Sequence, residues 1–349
     1  MQKLKMRSAQ VRYLRSVERS TLANTEPKSA LACIVRILGN DLEPRHDPEQ
    51  TINCLNFIID HEQPRERVAK QFIVNRIFNR EKELALVDLL EARGLAFQKI
   101  EFVAADYARQ PLDFGSFGHD EYFQSEAYAK QKPHARAIAV LWALRHKINY
   151  AMNLNGARNL AIENGLVAAN WVFPFDGQCF VPDVCVDQIV AHGARSKAMP
   201  YAIVPMRRVN SNGEALQPAP ADGILEEPQI GFSSRASHWF DSERPYGVRD
   251  KADTLRALGY PGPWAQWHPR SFEADASVAF SQRYLYDAIQ TPLVRLSSGR
   301  KRHDNQADNQ PRYQARFQAI LQTISMLDDT YSVPPERHSR IVVEQFLQC

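Results

Sequence analysis

The stretch LNGARNLAIENGLVAANWVFPFDGQCFV (154–181) decides the reading of this 349-residue chain. It opens on a small polar turn, enters a segment with helical spacing, and becomes an apolar run, NWVFPF, that stops at Asp176-Gly177. Asn155 is expected to cap a helix carrying Arg158, Asn159, Ala161 and Ile162, and Gly165 to end it. The run that follows predicts a strand. Pro174 has no N–H to donate, so it is expected at the strand end or on an edge. Asp-Gly is also a common hairpin turn. The helix directly before the run favours a strand that delivers Asp176 to a site.

The chain on either side has the same texture. LACIVRILGN (31–40) is a buried-strand pattern ending in a turn, and DPEQTINCLNFIIDHE (47–62) predicts a helix. There Asp47 is placed as cap, Pro48 at the first helical position and Gln50 three residues after the cap. QFIVNRI (71–77) reads as a second strand. NREKELALVDLLEARG (79–94) reads as a helix capped by Asn79 and closed by Gly94, and AFQKIEFV (96–103) as a third strand. Alternating strands and helices of crossover length predict an α/β fold: a Rossmann-like, mostly parallel sheet flanked by helices. Residues 105–132 read as a polar, aromatic loop, and ARAIAVLWALRHKINYAMN (135–153) as one long helix. AMPYAIVPMRRV (198–209) is a further strand, followed by a turn-rich hairpin loop. DKADTLRALG (250–259) and QPRYQARFQAILQTISMLDDTY (310–331) are helical. The organisation expected is a basic N-terminal extension over 1–30 and a single α/β domain over 31–349.

Composition bounds the function only loosely. Apolar residues make up 44% and charged residues 24% of the chain, ordinary for a globular protein. A net charge of +3 is too mild to argue for nucleic acid, so none is expected as a partner. The five cysteines form no CxxC pair, which disfavours zinc and disulfide frameworks and points to a reducing, cytoplasmic setting. No apolar run approaches the roughly 18 residues of a membrane span. The signatures GxxxxGK[ST], GxGxxG, HExxH and GxSxG are all absent. What remains is a set of polar residues at the ends of predicted strands: Asn40-Asp41, Asn75-Arg76 and Asp176-Gly177. Open α/β sheets bind ligands beyond the carboxyl ends of their strands.

The order of a polar turn, "ARN" (157–159), a helix, and a strand ending in acid resembles the inverting, type-A-fold glycosyltransferases of the family 2 kind. The later FDSERPYGVRD (240–250) is similar to that family's acceptor-side segment. The resemblance covers about 31–259, and the family usually offers two or three acids where this chain has Asp176 alone. It implies a nucleotide-binding half over 31–182 and an acceptor half over 183–349. It implies transfer of a sugar from a nucleoside diphosphate sugar to a hydroxyl acceptor whose identity is open. Arg36, Asn40, Asp41, Asn75, Arg76, Arg158, Asn159 and Asp176 would then meet the nucleotide-sugar. Asp250 or Asp241 would be the base that deprotonates the acceptor. A divalent Mg²⁺ or Mn²⁺ would rest on Asp176 with His303 as a further ligand, and Arg300, Lys301 and Arg302 could meet phosphate instead. Trp264 and Trp267 read first as core or surface packing residues, with stacking on a sugar as the alternative. Two other readings stand beside this one: a sugar nucleotidyltransferase, although ILGNDLEPRH (37–46) lacks that class's glycine repeat, and a non-catalytic interaction module on the same fold.

Overall fold

A computed structural model describes residues 28–43, 45–117, 120–196, 198–218, 225–248, 251–266, 286–297 and 312–347. Strand β1 (Ala30–Leu38) is buried at every position, as expected of a central parallel strand covered on both faces. It pairs in parallel with β2 (Val68–Asn75) on one side and with β4 (Ala169–Asp176) on the other. Strand β3 (Phe97–Ile100) extends the parallel part beyond β2. Beyond β4 the sheet becomes mixed. Strand β7 (Leu225–Ser233) runs antiparallel to β4 and to β6 (Tyr201–Arg208). Strand β6 in turn meets β8 (Tyr286–Ala288) and β9 (Leu293–Arg295) in parallel, and the two-residue β5 (Cys179–Phe180) closes on β9. The order β3-β2-β1-β4-β7-β6-β9-β5, with β8 also on β6, makes an α/β fold with a mostly parallel sheet.

Period-2 alternation sorts the covering helices. Ala32, Ile34, Trp171, Phe173 and Phe175 share a face with α6 (Asp183–Arg195), whose Cys185, Val186 and Ile189 pack on them. On that same face, Leu38, Phe72 and Val74 meet α1 (Gln50–His61) and α2 (Arg80–Ala92). Cys33, Val35, Ile37 and Val172 point the other way, onto Ala157 and Ala161 of α5 (Leu154–Ala168). Each aromatic of β4, fully buried, contributes on the order of 1.5–3 kcal/mol by leaving water.

A second apolar cluster lies beside the sheet. It joins α3 (Pro133–Ala143) and α4 (Arg145–Met152) to α8 (Arg312–Thr330) and α9 (Arg340–Leu347), so the carboxy-terminal helices pack against segments far upstream. Under it Lys147 and Asp328, both fully buried, pair at 2.6 Å. Asp328 also accepts from the Tyr107 hydroxyl (2.8 Å) and from the Ser339 N–H (2.7 Å).

Several local expectations change. The helix expected over 135–153 is two helices, broken at Leu144, where φ −94° and ψ 6° leave the helical region. Helix α1 starts at Gln50 after Glu49. Asp47 instead accepts from the Glu49 N–H (3.0 Å), an Asx turn that comes before the helix. Asn79 does cap α2, accepting from the Lys82 N–H. Gly165 does not end α5, which runs on to Ala168. A Cβ there would stand 2.7 Å from a Val172 methyl, so the glycine lets α5 lie close on β4. Pro174 lies within a central strand, opposite Val35 of β1. The ladder from β4 to β7 covers only Trp171 and Val172, so it has ended before the proline.

Candidate functional site

The chain leaves β1 toward β2 and β3 on one side and returns to β4 on the other. The carboxyl ends of β1 and β4 therefore flank a topological switch point, the usual ligand crevice of an open α/β sheet. A cavity of about 780 Å³ opens there, lined among others by Gly39, Asn40, Asn75, Arg158, Asp176 and Gly177. That is within the size range of small-molecule sites.

Asp176 stands at the end of β4, and its side chain is 23% exposed. Its Oδ1 accepts from Arg158 Nη2 at 2.6 Å. Its Oδ2 accepts from Gln229 Nε2 (3.2 Å) and from Lys251 Nζ (3.3 Å). Burial would raise the Asp176 carboxyl, but Lys251 and Arg158 outweigh it, and hydrogen bonds from Arg158 and Gln229 add to them. The group is held well below the usual carboxylate range. Arg158 is set by the helix: Asn155, one turn earlier, accepts from its Nη1 at 2.9 Å.

The same helix holds the start of the FDSERPYGVRD segment. Asn159 donates to the Phe240 carbonyl (2.8 Å) and accepts from the Phe240 N–H (3.0 Å). Asn155 donates to the Asp241 carbonyl (2.8 Å), and the Arg158 guanidinium lies 5.1 Å from the Phe240 ring centre. The two motifs that carry the family resemblance thus meet in space, through the backbone of the second.

The expected site residues divide. Asn40, Asn75, Arg158 and Asp176 line the cavity. Asn40 also ties down the exit of β2, donating to the Arg76 carbonyl (2.8 Å) and accepting from the Phe78 N–H (3.0 Å). Asp41 sits behind that wall, accepting from the Thr51 hydroxyl at 2.7 Å. Arg76, at φ 45°, turns away, with its guanidinium 4.1 Å from the Tyr150 ring centre. Arg36 lies elsewhere: it is fully buried, donates to the Cys179 carbonyl (3.0 Å) and pairs with Glu62, bracing β1 against β5 and α1. Asn159 is spent on Phe240. The Asp241 carboxylate accepts from the Glu243 N–H (3.0 Å), an exposed turn that does not line the cavity. Trp264 packs in the core with α7 (Ala252–Ala257), beneath β6 and β7. Asp250, Trp267 and His303, with Arg300, Lys301 and Arg302, lie outside the described residues.

Other cavity residues were not singled out from sequence. Lys251 joins Asp176 to Glu227 (3.4 Å). Glu226 pairs with Arg208 and, at 3.2 Å, with Arg295. Arg45 and Arg316 complete the set. The lining thus carries five Arg or Lys side chains (Arg45, Arg158, Lys251, Arg295, Arg316) against three acids (Asp176, Glu226, Glu227), a balance suited to an anion. Lys251 directly follows the acid that the resemblance marks, which is a usable signal. Arg316 had none, since it falls within an ordinary amphipathic helix.

Asp176 is the acid on which the resemblance would rest a divalent ion. A hard divalent cation needs carboxylate oxygens free of competing charge. Here Arg158 and Lys251 already contact both oxygens of Asp176, and a dication bound beside them would be repelled at close range. Among the described residues no group of three His, Cys, Asp or Glu side chains could hold an ion. Among the described residues, the donor set around Asp176 does not fit Mg²⁺ or Mn²⁺. Among the described residues there is also no helix long and apolar enough to cross a membrane. No family model matches the chain, and no curated protein matches it in sequence.

Proposed function

We propose that the chain is a type-A-like glycosyltransferase that moves a sugar from a nucleoside diphosphate sugar to a hydroxyl acceptor with inversion. One observation carries this reading. At the switch-point cavity, Arg158 from the ARN helix, Asp176 from the end of β4 and Lys251 from beside the acceptor-side segment converge on one carboxylate. The excess of cations around it suits a diphosphate.

Asn40 and Asn75, at the ends of β1 and β2, shape the wall of the nucleoside side of the cavity, their amides bonded to the Arg76 and Met152 carbonyls. Asp176 acts as an organiser: it fixes Arg158 and Lys251 where they can meet charge developing on the leaving diphosphate. In the transfer, the acceptor oxygen bonds to the anomeric carbon as that carbon's bond to the diphosphate oxygen breaks. The bonding pair leaves with the nucleoside diphosphate, and the hydroxyl proton passes to a carboxylate. The resemblance gives that role to Asp250. Among the described residues Glu227 is the most exposed cavity acid, at 36% against 23% for Asp176 and 12% for Glu226, and so the best placed to meet an acceptor.

The test is a thermal-shift screen with UDP-, GDP-, CDP- and dTDP-sugars, followed by turnover assays with the binder. Selective stabilisation by one nucleotide class is expected. Silence across the panel would sink the transferase. Selective binding without turnover on any hydroxyl acceptor would favour the interaction module instead.

A further inference from the structure

The three acids lining the cavity are each matched to cations: Asp176 to Arg158 and Lys251, Glu227 to Lys251, Glu226 to Arg208 and Arg295. Two guanidinium groups are left over. Arg45, in the loop after β1, has no carboxylate partner among the described residues. Its Nη1 donates to the Tyr246 hydroxyl at 3.4 Å. Arg316, on α8, likewise has no carboxylate partner among the described residues, and its buried Nε has no hydrogen-bond acceptor.

The two flank the same short segment. Gly247 follows Tyr246 at φ +87°, and a Cβ there would stand 3.0 Å from Cδ of Arg316 and 3.2 Å from Cδ1 of Ile320. The glycine therefore lets the Arg316 stem lie against the loop whose tyrosine meets Arg45. Burial, and then the like charges of Arg316 and Arg295 against the opposing effect of Tyr246, hold Arg45 below the usual arginine range. Two cations in one cavity with no carboxylate partner among the described residues are suited to a ligand that supplies the negative charge.

We propose that Arg45 and Arg316, astride Tyr246-Gly247, form a metal-free diphosphate site that carries the countercharge for the donor's leaving group. The assignment rests on the transferase reading for its ligand class. It replaces the metal that Asp176 does not fit with two fixed guanidinium forks, each able to engage phosphate oxygens bidentately.

The test is calorimetric titration of the full chain with inorganic pyrophosphate in EDTA, then with Mg²⁺, using wild type, Arg45→Gln, Arg316→Gln and Arg316→Lys, each checked for unchanged melting. Wild type is expected to bind in EDTA. Each Gln variant is expected to weaken binding by about ten-fold or more, Arg316→Lys to lose less, and Mg²⁺ to change wild-type affinity by less than about two-fold. Three results would overturn the site: no pyrophosphate binding by wild type; binding that requires Mg²⁺ and disappears in Asp176→Asn; or binding that Arg45→Gln and Arg316→Gln leave intact. A nucleotide-sugar titration separates the two claims. Pyrophosphate binding that depends on Arg316, with no nucleotide-sugar binding, keeps the anion site and removes the transferase.

Discussion

Asp176 and Asp328 are each held by a lysine and by further donors, yet they occupy different worlds. Asp328 is fully buried beneath the carboxy-terminal helices, where Lys147, the Tyr107 hydroxyl and the Ser339 N–H occupy its oxygens. Asp176 has a similar set of partners, Arg158, Lys251 and Gln229, but its side chain is 23% exposed and faces a cavity. The chemistry of the pair is shared. What differs is whether the cations have anything else to meet. Lys147 is enclosed with its partner, so that network can only brace α4 against α8. Arg158 and Lys251 stand at the edge of open volume, so theirs can also orient a ligand.

The widest separation is expected between stability and activity. Asp328→Ala strands the buried Lys147 ammonium and should cost about 3–5 kcal/mol of unfolding free energy, measured by chemical denaturation. Combining Lys147→Met with Asp328→Leu should recover most of that loss, because an apolar pair needs no compensation. If Asp328→Ala unfolds no more easily than wild type, the bracing role fails.

Asp176→Asn should divide the other way. Transfer is expected to fall by a hundred-fold or more, on the order of the effect of removing one preorganised electrostatic contact, while stability falls by about 1–3 kcal/mol without loss of the fold, because Arg158 and Lys251, 2% and 5% exposed, keep an amide oxygen but lose a charged partner. Loss of the fold instead of loss of turnover would make Asp176 a second Asp328. The pH profile sharpens the point. The Asp176 carboxyl lies well below its ordinary value in the fold, so what its ion pairs contribute is fully present above the ordinary carboxylate range. It is lost only as pH falls through the depressed value. Between pH 5 and 8, then, ligand binding should show no inflection due to Asp176.

Gly247→Ala tests the cavity wall between these extremes. The new methyl would press on the Arg316 stem at a positive φ, with a stability cost of roughly 1–2 kcal/mol. Pyrophosphate affinity should drop with it. Unchanged affinity would show that Arg316 does not depend on the loop for its position.

What the sequence revealed follows the same division between local and non-local causes. Strand β1 was legible because every one of its residues is buried, and the Asn79 cap because it bonds three residues away. The face of β1 that Arg36 occupies was not, since a strand buried on both sides carries no polar alternation to mark direction. The helix–strand unit around Arg158 and Asp176 was visible as a local pattern. Its partner Lys251 was reachable only as a neighbour of an acid in another motif. Arg45 and Arg316 come from opposite ends of the chain and meet only because α8 returns to pack against α3 and α4. No spacing rule connects them.

The smallest effect expected lies just behind the cavity wall, at Asp41. Burial raises its carboxyl, and the hydrogen bonds from Thr51 and the charge of Lys82 only partly offset this. A raised value in the fold means the folded state binds the proton more readily than the unfolded chain does. The penalty is therefore absent below the ordinary carboxylate range, grows as pH rises through the raised value, and is complete at neutral pH. Asp41→Asn keeps an oxygen for the Thr51 N–H and hydroxyl and removes the charge, so it should stabilise the chain at pH 7 by less than about 1 kcal/mol and do nothing near pH 3. Denaturation at the two pH values reads this directly. Destabilisation at neutral pH would mean that the Lys82 pair, at 3.8 Å, outweighs desolvation, and that this carboxylate is kept for its charge, as Asp176 is.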